Sequence, residues 1–227
     1  MEMTEPQEEM YTSYQAQLKK GLLRKIEQDG VSTHRLEVLE AILRLRQICC
    51  DPRLLGEAFS GAKVEQLKED LAEMMAENRK VLIYSQFTSL LSLLKKELAI
   101  YQPLYLDGSM GFAERGEQVQ QFQEDPQSLI FLISLKAGGA GLNLTAADTV
   151  ILFDPWWNEA VEQQAIGRAH RMGQTKKILA KRYLTPSAIE EKMLSLKQKK
   201  QSVADQLLSN SDETLNWTSE DLLHLLL

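Results

Sequence analysis

The chain has 227 residues, with 26 Lys and Arg against 32 Asp and Glu, a formal charge of −6, and 44% hydrophobic and 26% charged side chains. Those proportions are ordinary for a globular protein, and 12 Gly, 6 Pro and 2 Cys exclude collagen-like, disordered and disulfide-rich classes. The longest apolar run, around Leu129–Ser134, falls far short of the ~20 residues of a membrane span, and the acidic start MEMTEPQEEM is unlike a signal or transit peptide.

The expectation is therefore a soluble intracellular protein with no membrane partner: cytoplasmic, at the nucleoid in a bacterium or in the nucleus in a eukaryote. Along the chain, residues 7–58 read as helix, with Leu36, Leu39, Ile42, Leu43 and Leu45 at spacings of three and four. Within it Cys49 and Cys50 are adjacent, a poor geometry for a bridge, and read as small buried residues. Asp51-Pro52 ends the helix, because the residue before Pro leaves the α region. A second amphipathic helix spans Lys63–Asn78, with Leu67, Leu71, Met74 and Met75 on its inner face.

The pattern then changes. Short apolar runs at Val81–Tyr84, Leu104–Leu106, Leu129–Ile133, Val150–Phe153 and Ile178–Leu184 alternate with helical stretches such as Ser89–Ala99, Ala113–Gln123 and Glu159–Arg171. Strands alternating with helices specify an α/β fold with a mainly parallel sheet. Runs such as LIFLIS lack polar alternation, as strands covered on both faces do. After Leu184 the chain returns to helix, with Ser187 and Glu190 spaced as a capping box and Ile189, Met193, Leu196, Val203 and Leu207 as the buried stripe. Ser209–Glu213 reads as a linker, and TSEDLLHLLL as a short amphipathic helix. The expected organisation is a helical protrusion over 1–60, an α/β lobe over 61–186, a bracing helix over 187–208 and a linker with a terminal helix over 209–227.

Two segments carry chemistry. Lys136–Thr145 (KAGGAGLNLT) follows a strand, and consecutive glycines let backbone N–H groups converge on an anion. The third glycine of a dinucleotide fingerprint is missing, since Leu144 stands there, and the chain has no Walker A loop and no Asp-Glu pair after an apolar strand. Gln164–Arg171 (QAIGRAHR) follows another strand, which ends in Asp154-Pro155-Trp156-Trp157-Asn158. At ~100° per residue Gln164, Arg168 and Arg171 share one helix face, Gly167 beside them leaves room for a ligand, and Asn158 is placed to cap the helix. Paired guanidiniums at the carboxyl edge of a sheet suit an oxyanion whose charge grows during phosphoryl transfer. From Arg168 to Lys200 ten bases face only Glu190 and Glu191, a local excess of eight inside an acidic protein, which points to a polyanion contact.

In order, VLIYSQFT (81–88), LDGSM (106–110), SLKAGGAGLNLTAAD (134–148) and QAIGRAHRMGQ (164–174), with Arg44–Leu55 before them and Ile189–Leu208 after, resemble the C-terminal, second RecA-like lobe of a Swi/Snf-type DNA translocase of helicase superfamily two. The resemblance covers roughly residues 40–208, and the DPWW wording is similar to bacterial and radiation-repair-like members. Gly167 departs from the Asp usual in that family, and Glu159 from the Pro that usually follows Trp-Asn.

The resemblance implies a two-lobed motor of which this chain is one half. Arg168, Arg171 and Gln164 would serve ATP catalysis across the cleft, with Gly139, Gly141, Asn143 and Gly167 near the nucleotide. Ser85, Gln86, Gly108, Lys136, Gly138, Thr145, Trp157 and Asn158 would meet duplex DNA. The partners implied are an N-terminal lobe in cis, which would bring the phosphate loop and Mg2+, and double-stranded DNA; alone, the chain is expected to hold neither ATP nor Mg2+ tightly and not to hydrolyse ATP. Two other readings stay open: an inert scaffold that docks proteins through its helical start and its LLHLLL tail, and the lobe of an RNA helicase, although those usually read HRxGR where this chain has HRMGQ.

Overall fold

The computed structural model describes residues 1–137, 141–156, 158–170, 177–207 and 218–226. Contacts divide the chain into two compact units, Val64–Tyr183 and Met1–Lys63 with Leu184–Leu227.

The first unit is the α/β part. After α3 (Ala62–Ala76) come β1 (Val81–Ser85), α4 (Thr88–Glu97), β2 (Leu104–Leu106), α5 (Phe112–Glu124), β3 (Ile130–Ser134), β4 (Thr149–Leu152), α6 (Glu159–Gly167) and β5 (Leu179–Arg182). The five strands form one sheet in the order β2-β3-β1-β4-β5, and every adjacent pair is parallel. In β1, β3 and β4 every residue is buried, which is why these runs carry no polar alternation. Leu82, Tyr84, Phe131, Ile133, Leu144, Val150 and Leu152 form the centre of the core. The edge strand β5 is more open and begins one residue later than its apolar run.

In α3, Val64, Leu67, Leu71 and Met74 recur at helical spacing and are at most 4% exposed. The helix closes on Asn78, whose φ of 53° takes the left-handed position, while Arg79 N–H donates to Met74 O at 2.9 Å. The helix expected over Glu159–Arg171 is shorter: α6 stops at Gly167. Beyond it Arg168 and Ala169 donate to carbonyls three residues back, at 3.4 and 3.1 Å, so the last turn tightens.

The second unit is helical: α1 (Glu5–Asp29), α2 (Arg35–Cys50), a 3₁₀ turn (Pro52–Leu55), α7 (Ile189–Leu207) and α8 (Ser219–Leu226). Gly30, with φ 81°, separates α1 from α2, so the long helix reads as two. Asp51 leaves the α region ahead of Pro52, with φ −166° and ψ 125°. α2 packs on α1, α7 and α8 with Val38, Ile42, Leu45, Ile48 and Cys49 at 0–1% exposure, whereas Leu36, Leu39 and Leu43 of the expected apolar stripe stay 82%, 37% and 42% exposed. Both cysteines are buried thiols. The tail forms the expected amphipathic helix, and its Leu222, Leu225 and Leu226 are buried in a helix that packs on α2 and α7. The linker expected over Ser209–Glu213, and Leu207's neighbour Leu208, lie outside the described residues.

The capping box expected at the start of α7 is not what forms. Ser187 has a φ of 56°, and its N–H donates to Glu191 Oε2 at 2.7 Å. Glu190 turns inward, where both carboxylate oxygens accept from Lys63 Nζ at 2.6 Å and one accepts from Thr185 N–H at 2.9 Å. Lys63 and Glu190 are 1% and 0% exposed, so the pair is dry. Nearby, Tyr11 accepts from Ile189 N–H at 2.8 Å, and buried Gln7 donates to Ile48 O at 2.7 Å and accepts from Ala62 N–H at 3.0 Å.

Removing one member of a dry ion pair strands the other. Lys63→Ala should therefore lower stability by about 3–5 kcal/mol, while Lys63→Met combined with Glu190→Leu should recover most of the loss. Urea unfolding of the three chains checks this; equal losses in the single and double variants would refute it.

Candidate nucleotide and nucleic-acid interface

Because all the strands of the α/β unit are parallel, the segments that leave their carboxyl ends open on one edge of the sheet. Gln86 follows β1, Gly108 follows β2, Lys136 follows β3 and Asn158 follows β4. Sheets of this kind bind ligands along that edge.

The edge is organised by Asp154, which is fully buried. Ser85 donates its hydroxyl proton to Asp154 Oδ1 at 2.5 Å and accepts from Phe87 N–H at 3.0 Å. Gln86 N–H donates weakly to the same carboxylate, at 3.3 and 3.4 Å. Ser85 is itself 0% exposed, so its hydroxyl ties the ends of β1 and β4 together instead of facing a DNA phosphate as expected. Gln86 is half-buried, and its Nε2 has no hydrogen-bond partner among the described residues. That nitrogen is itself buried.

The loop after β2 is braced from within. Asp107 accepts from Tyr105 Oη at 2.8 Å and from Ser109 N and Oγ at 2.8 and 2.6 Å, and the Ser109 hydroxyl, first among these, holds its carboxyl below the usual range. Arg115 donates to the carbonyls of Met110 and Gly108 at 2.9 and 3.1 Å. Gly108 is exposed, and a Cβ there would meet nothing within 4 Å.

In the glycine loop, Lys136, Gly141 and Asn143 are exposed and Thr145 is half-buried. Gly141 has a φ of 63°, a conformation that favours glycine. Gly138 and Gly139 lie outside the described residues, as do Trp157 and Arg171. Leu144, fully buried, donates its N–H to Arg168 O at 3.1 Å, which binds the glycine loop to the end of α6.

Asn158 caps α6 as expected, accepting from Ala160 N–H at 2.9 Å. Glu162 is buried and accepts from Trp156 N–H at 2.6 Å, and Arg182 pairs with Glu162 at 2.9 Å and with Glu159 at 2.7 Å. Gln164 and Arg168, four residues apart at the end of α6, differ in exposure. Gln164 is exposed, but Arg168 is only 2% exposed. Arg168 stands close enough to the buried Tyr84 to oppose the rise that burial imposes on that phenol. A Cβ on Gly167 would meet nothing within 4 Å, so the departure from Asp at this position leaves open space.

Several residues that build this edge were not assigned to the site from the sequence: Asp154, Asp107 and Arg182, while Glu162 was read only as a favourable charge in the first turn of its helix. One signal was available for Asp154, a lone carboxylate directly after the apolar run VILF; Asp107 acts through its near neighbours Tyr105 and Ser109, whereas Arg182 declares itself only through Glu159 and Glu162, some twenty positions away. Among the described residues no three His, Cys, Asp or Glu side chains gather as a metal site, and no helix is long and apolar enough to cross a membrane.

Comparison with known proteins agrees with this geometry. Residues 62–173 match the family described as helicase conserved C-terminal domain. The chain is 41% identical over 177 residues to the DNA repair protein RAD5 of Gibberella zeae, covering 76% of this chain and 15% of that protein. It is 36% identical over 186 residues to the chromatin-remodeling ATPase INO80 of Schizosaccharomyces pombe, covering 75% and 12%. The chain thus spans about one seventh of these relatives, or less. Among solved structures, the Sulfolobus solfataricus SWI2/SNF2 ATPase C-terminal domain aligns with a TM-score of 0.73 at 28% identity, over 98% of this chain and 93% of that one. The SWI2/SNF2 ATPase core of the same organism in complex with dsDNA aligns with a TM-score of 0.77 at 27% identity, over 99% and 48%. The chain therefore belongs to the Swi/Snf branch of superfamily-two helicases, and residues 62–173 are its helicase conserved C-terminal domain.

Proposed function

We propose that this chain is the C-terminal lobe of an ATP-dependent translocase on double-stranded DNA, inactive as an ATPase without an upstream lobe. One observation carries the reading: the glycine loop and the end of α6, joined through Leu144 N–H and Arg168 O at 3.1 Å, lie on the edge where Gln86, Gly108, Lys136 and Asn158 also leave their strands. A nucleotide-responsive helix and a phosphate-contacting loop that share a hydrogen bond can move as one body. Thr145, Gly138, Trp157 and Asn158 complete the proposed DNA set, and Gly139, Gly141, Asn143 and Gly167 the nucleotide set. Mg2+ and the β- and γ-phosphates belong to the upstream lobe, whose phosphate loop and acidic pair this sequence lacks.

Within this scheme Arg171 is the arginine that reaches the nucleotide, with Gln164 beside it. Arg168 acts from a buried position, where low dielectric strengthens its charge and its carbonyl holds the loop. Ser85 serves by fixing Asp154. Contacts to phosphate position a protein without reading sequence, which fits a motor that must step along any duplex. The tail helix, whose apolar face is covered by α2 and α7, favours the motor over a scaffold that docks partners through that tail.

Two measurements test the reading. In a phosphate-release assay the chain alone should show no DNA-stimulated turnover. Joined to its upstream lobe it should hydrolyse ATP, and Arg171→Ala should then lower the rate by about 10³-fold or more; an unimpaired variant would end the finger assignment. Separately, Lys136→Ala should weaken duplex binding uniformly across sequences and reduce the slope of log K against log salt by about 1. Tighter binding to duplex RNA than to duplex DNA in the same titration would favour an RNA helicase instead.

A further inference from the structure

Gln123 lies near the end of α5, outside every motif discussed above, yet its side chain grips the glycine loop at both of its amide ends. Oε1 accepts from Ala146 N–H at 2.7 Å, and Nε2 donates to Thr145 Oγ1 at 3.2 Å. The backbone N–H of Ala146 requires an acceptor, which settles the orientation of the amide and turns its NH₂ to Thr145. Thr145 Oγ1 is thereby the acceptor in that contact, and its own proton lies on the side away from Gln123.

The residue that holds the loop is itself held. Lys80 Nζ donates to the carbonyls of Phe122 and Asp125, the latter at 2.8 Å, and sits 4.9 Å from the Phe122 ring centroid, so a cation closes the C-terminal end of α5. Phe122 is fully buried and packs on Phe131 of β3 with centroids 5.3 Å apart. The carbonyl of Lys80 accepts from Asp148 and Thr149 N–H at 3.0 and 3.2 Å. The circuit runs from Lys80 through the end of α5 and Gln123 to Thr145–Ala146, and back through Asp148 to Lys80. It restrains the loop next to the residue that makes the Leu144–Arg168 bond.

We infer that Gln123 is a positioning residue for DNA binding: it sets the place of the Thr145–Ala146 segment without touching DNA itself. This rests on the proposed reading that the segment meets the DNA backbone. Replacing Gln123 by Met keeps its bulk and deletes both hydrogen bonds. The variant should bind a fluorescent DNA duplex roughly three- to ten-fold more weakly in anisotropy titrations, the worth of one or two neutral hydrogen bonds. Its salt slope should match the wild type, because no phosphate-neutralising charge is lost. The loss should largely vanish in a Thr145→Val background, since the two residues act as one unit. Hydrogen exchange should speed up at the Ala146 amide and not at the amides of β1. Gln123→Asn, one methylene shorter, carries the same expectation and covers the case of a Met variant that does not fold.

If the wild-type chain binds duplex and the variant binds as well, or loses as much in the Thr145→Val background, the inference is wrong while the proposed function stands. If the wild-type chain itself shows no duplex binding at low salt, the DNA reading fails and this inference with it.

Discussion

Parallel strands cannot be joined by hairpins: each must return along the outside of the sheet before the next begins. In the order β2-β3-β1-β4-β5 that constraint buries the central strands on both faces and delivers every loop after a strand to one edge. The glycine loop, the Asp107 turn, Gln86 and the start of α6 come from stretches as far apart as residues 86 and 158. They are neighbours because of strand direction alone. Nothing in their own sequences requires it.

The polar groups buried around this frame do two kinds of work. Ser85, Phe87 and Asp154 form a small network at the sheet edge, in which each hydrogen bond restrains a segment that leaves a strand. Its net stabilisation is modest, since protein hydrogen bonds replace hydrogen bonds to water, but a break would leave a buried carboxylate short of a donor. Lys63 and Glu190 do the corresponding work in the helical unit, where the pair joins the segment that precedes the sheet to the one that follows it. Desolvation offsets most of the attraction in such a pair. What the pair supplies is register: Glu190 also accepts from Thr185 N–H, so the start of α7 has one seat.

The same economy of contacts appears between loop and helix. Leu144 N–H to Arg168 O, and Gln123 to Thr145 and Ala146, fasten the described part of the glycine loop to α6 and α5. A loop held so transmits displacement from one neighbour to the other. Conformational steps in proteins travel through packed and hydrogen-bonded elements with discrete arrangements.

The apolar runs determined the strands, and the alternation of runs with helical stretches determined the α/β class, because a strand covered on both faces has no use for polar residues. LIFLIS became β3 almost residue for residue, and Asn158 and Asp51-Pro52 acted as local signals whose reach is one turn. Where long-range partners decide, the chain alone was silent or misleading. α2 carries two apolar stripes, and only packing by α1, α7 and α8 selects the one that is buried. Glu190 sits at capping distance from Ser187, yet a buried lysine 127 positions away takes its carboxylate. Arg168 reads as part of an open helix face, yet its side chain is buried. Local patterns act through backbone geometry over a few residues; the destination of a charge depends on which distant partner can neutralise it, and only the folded chain brings that partner near.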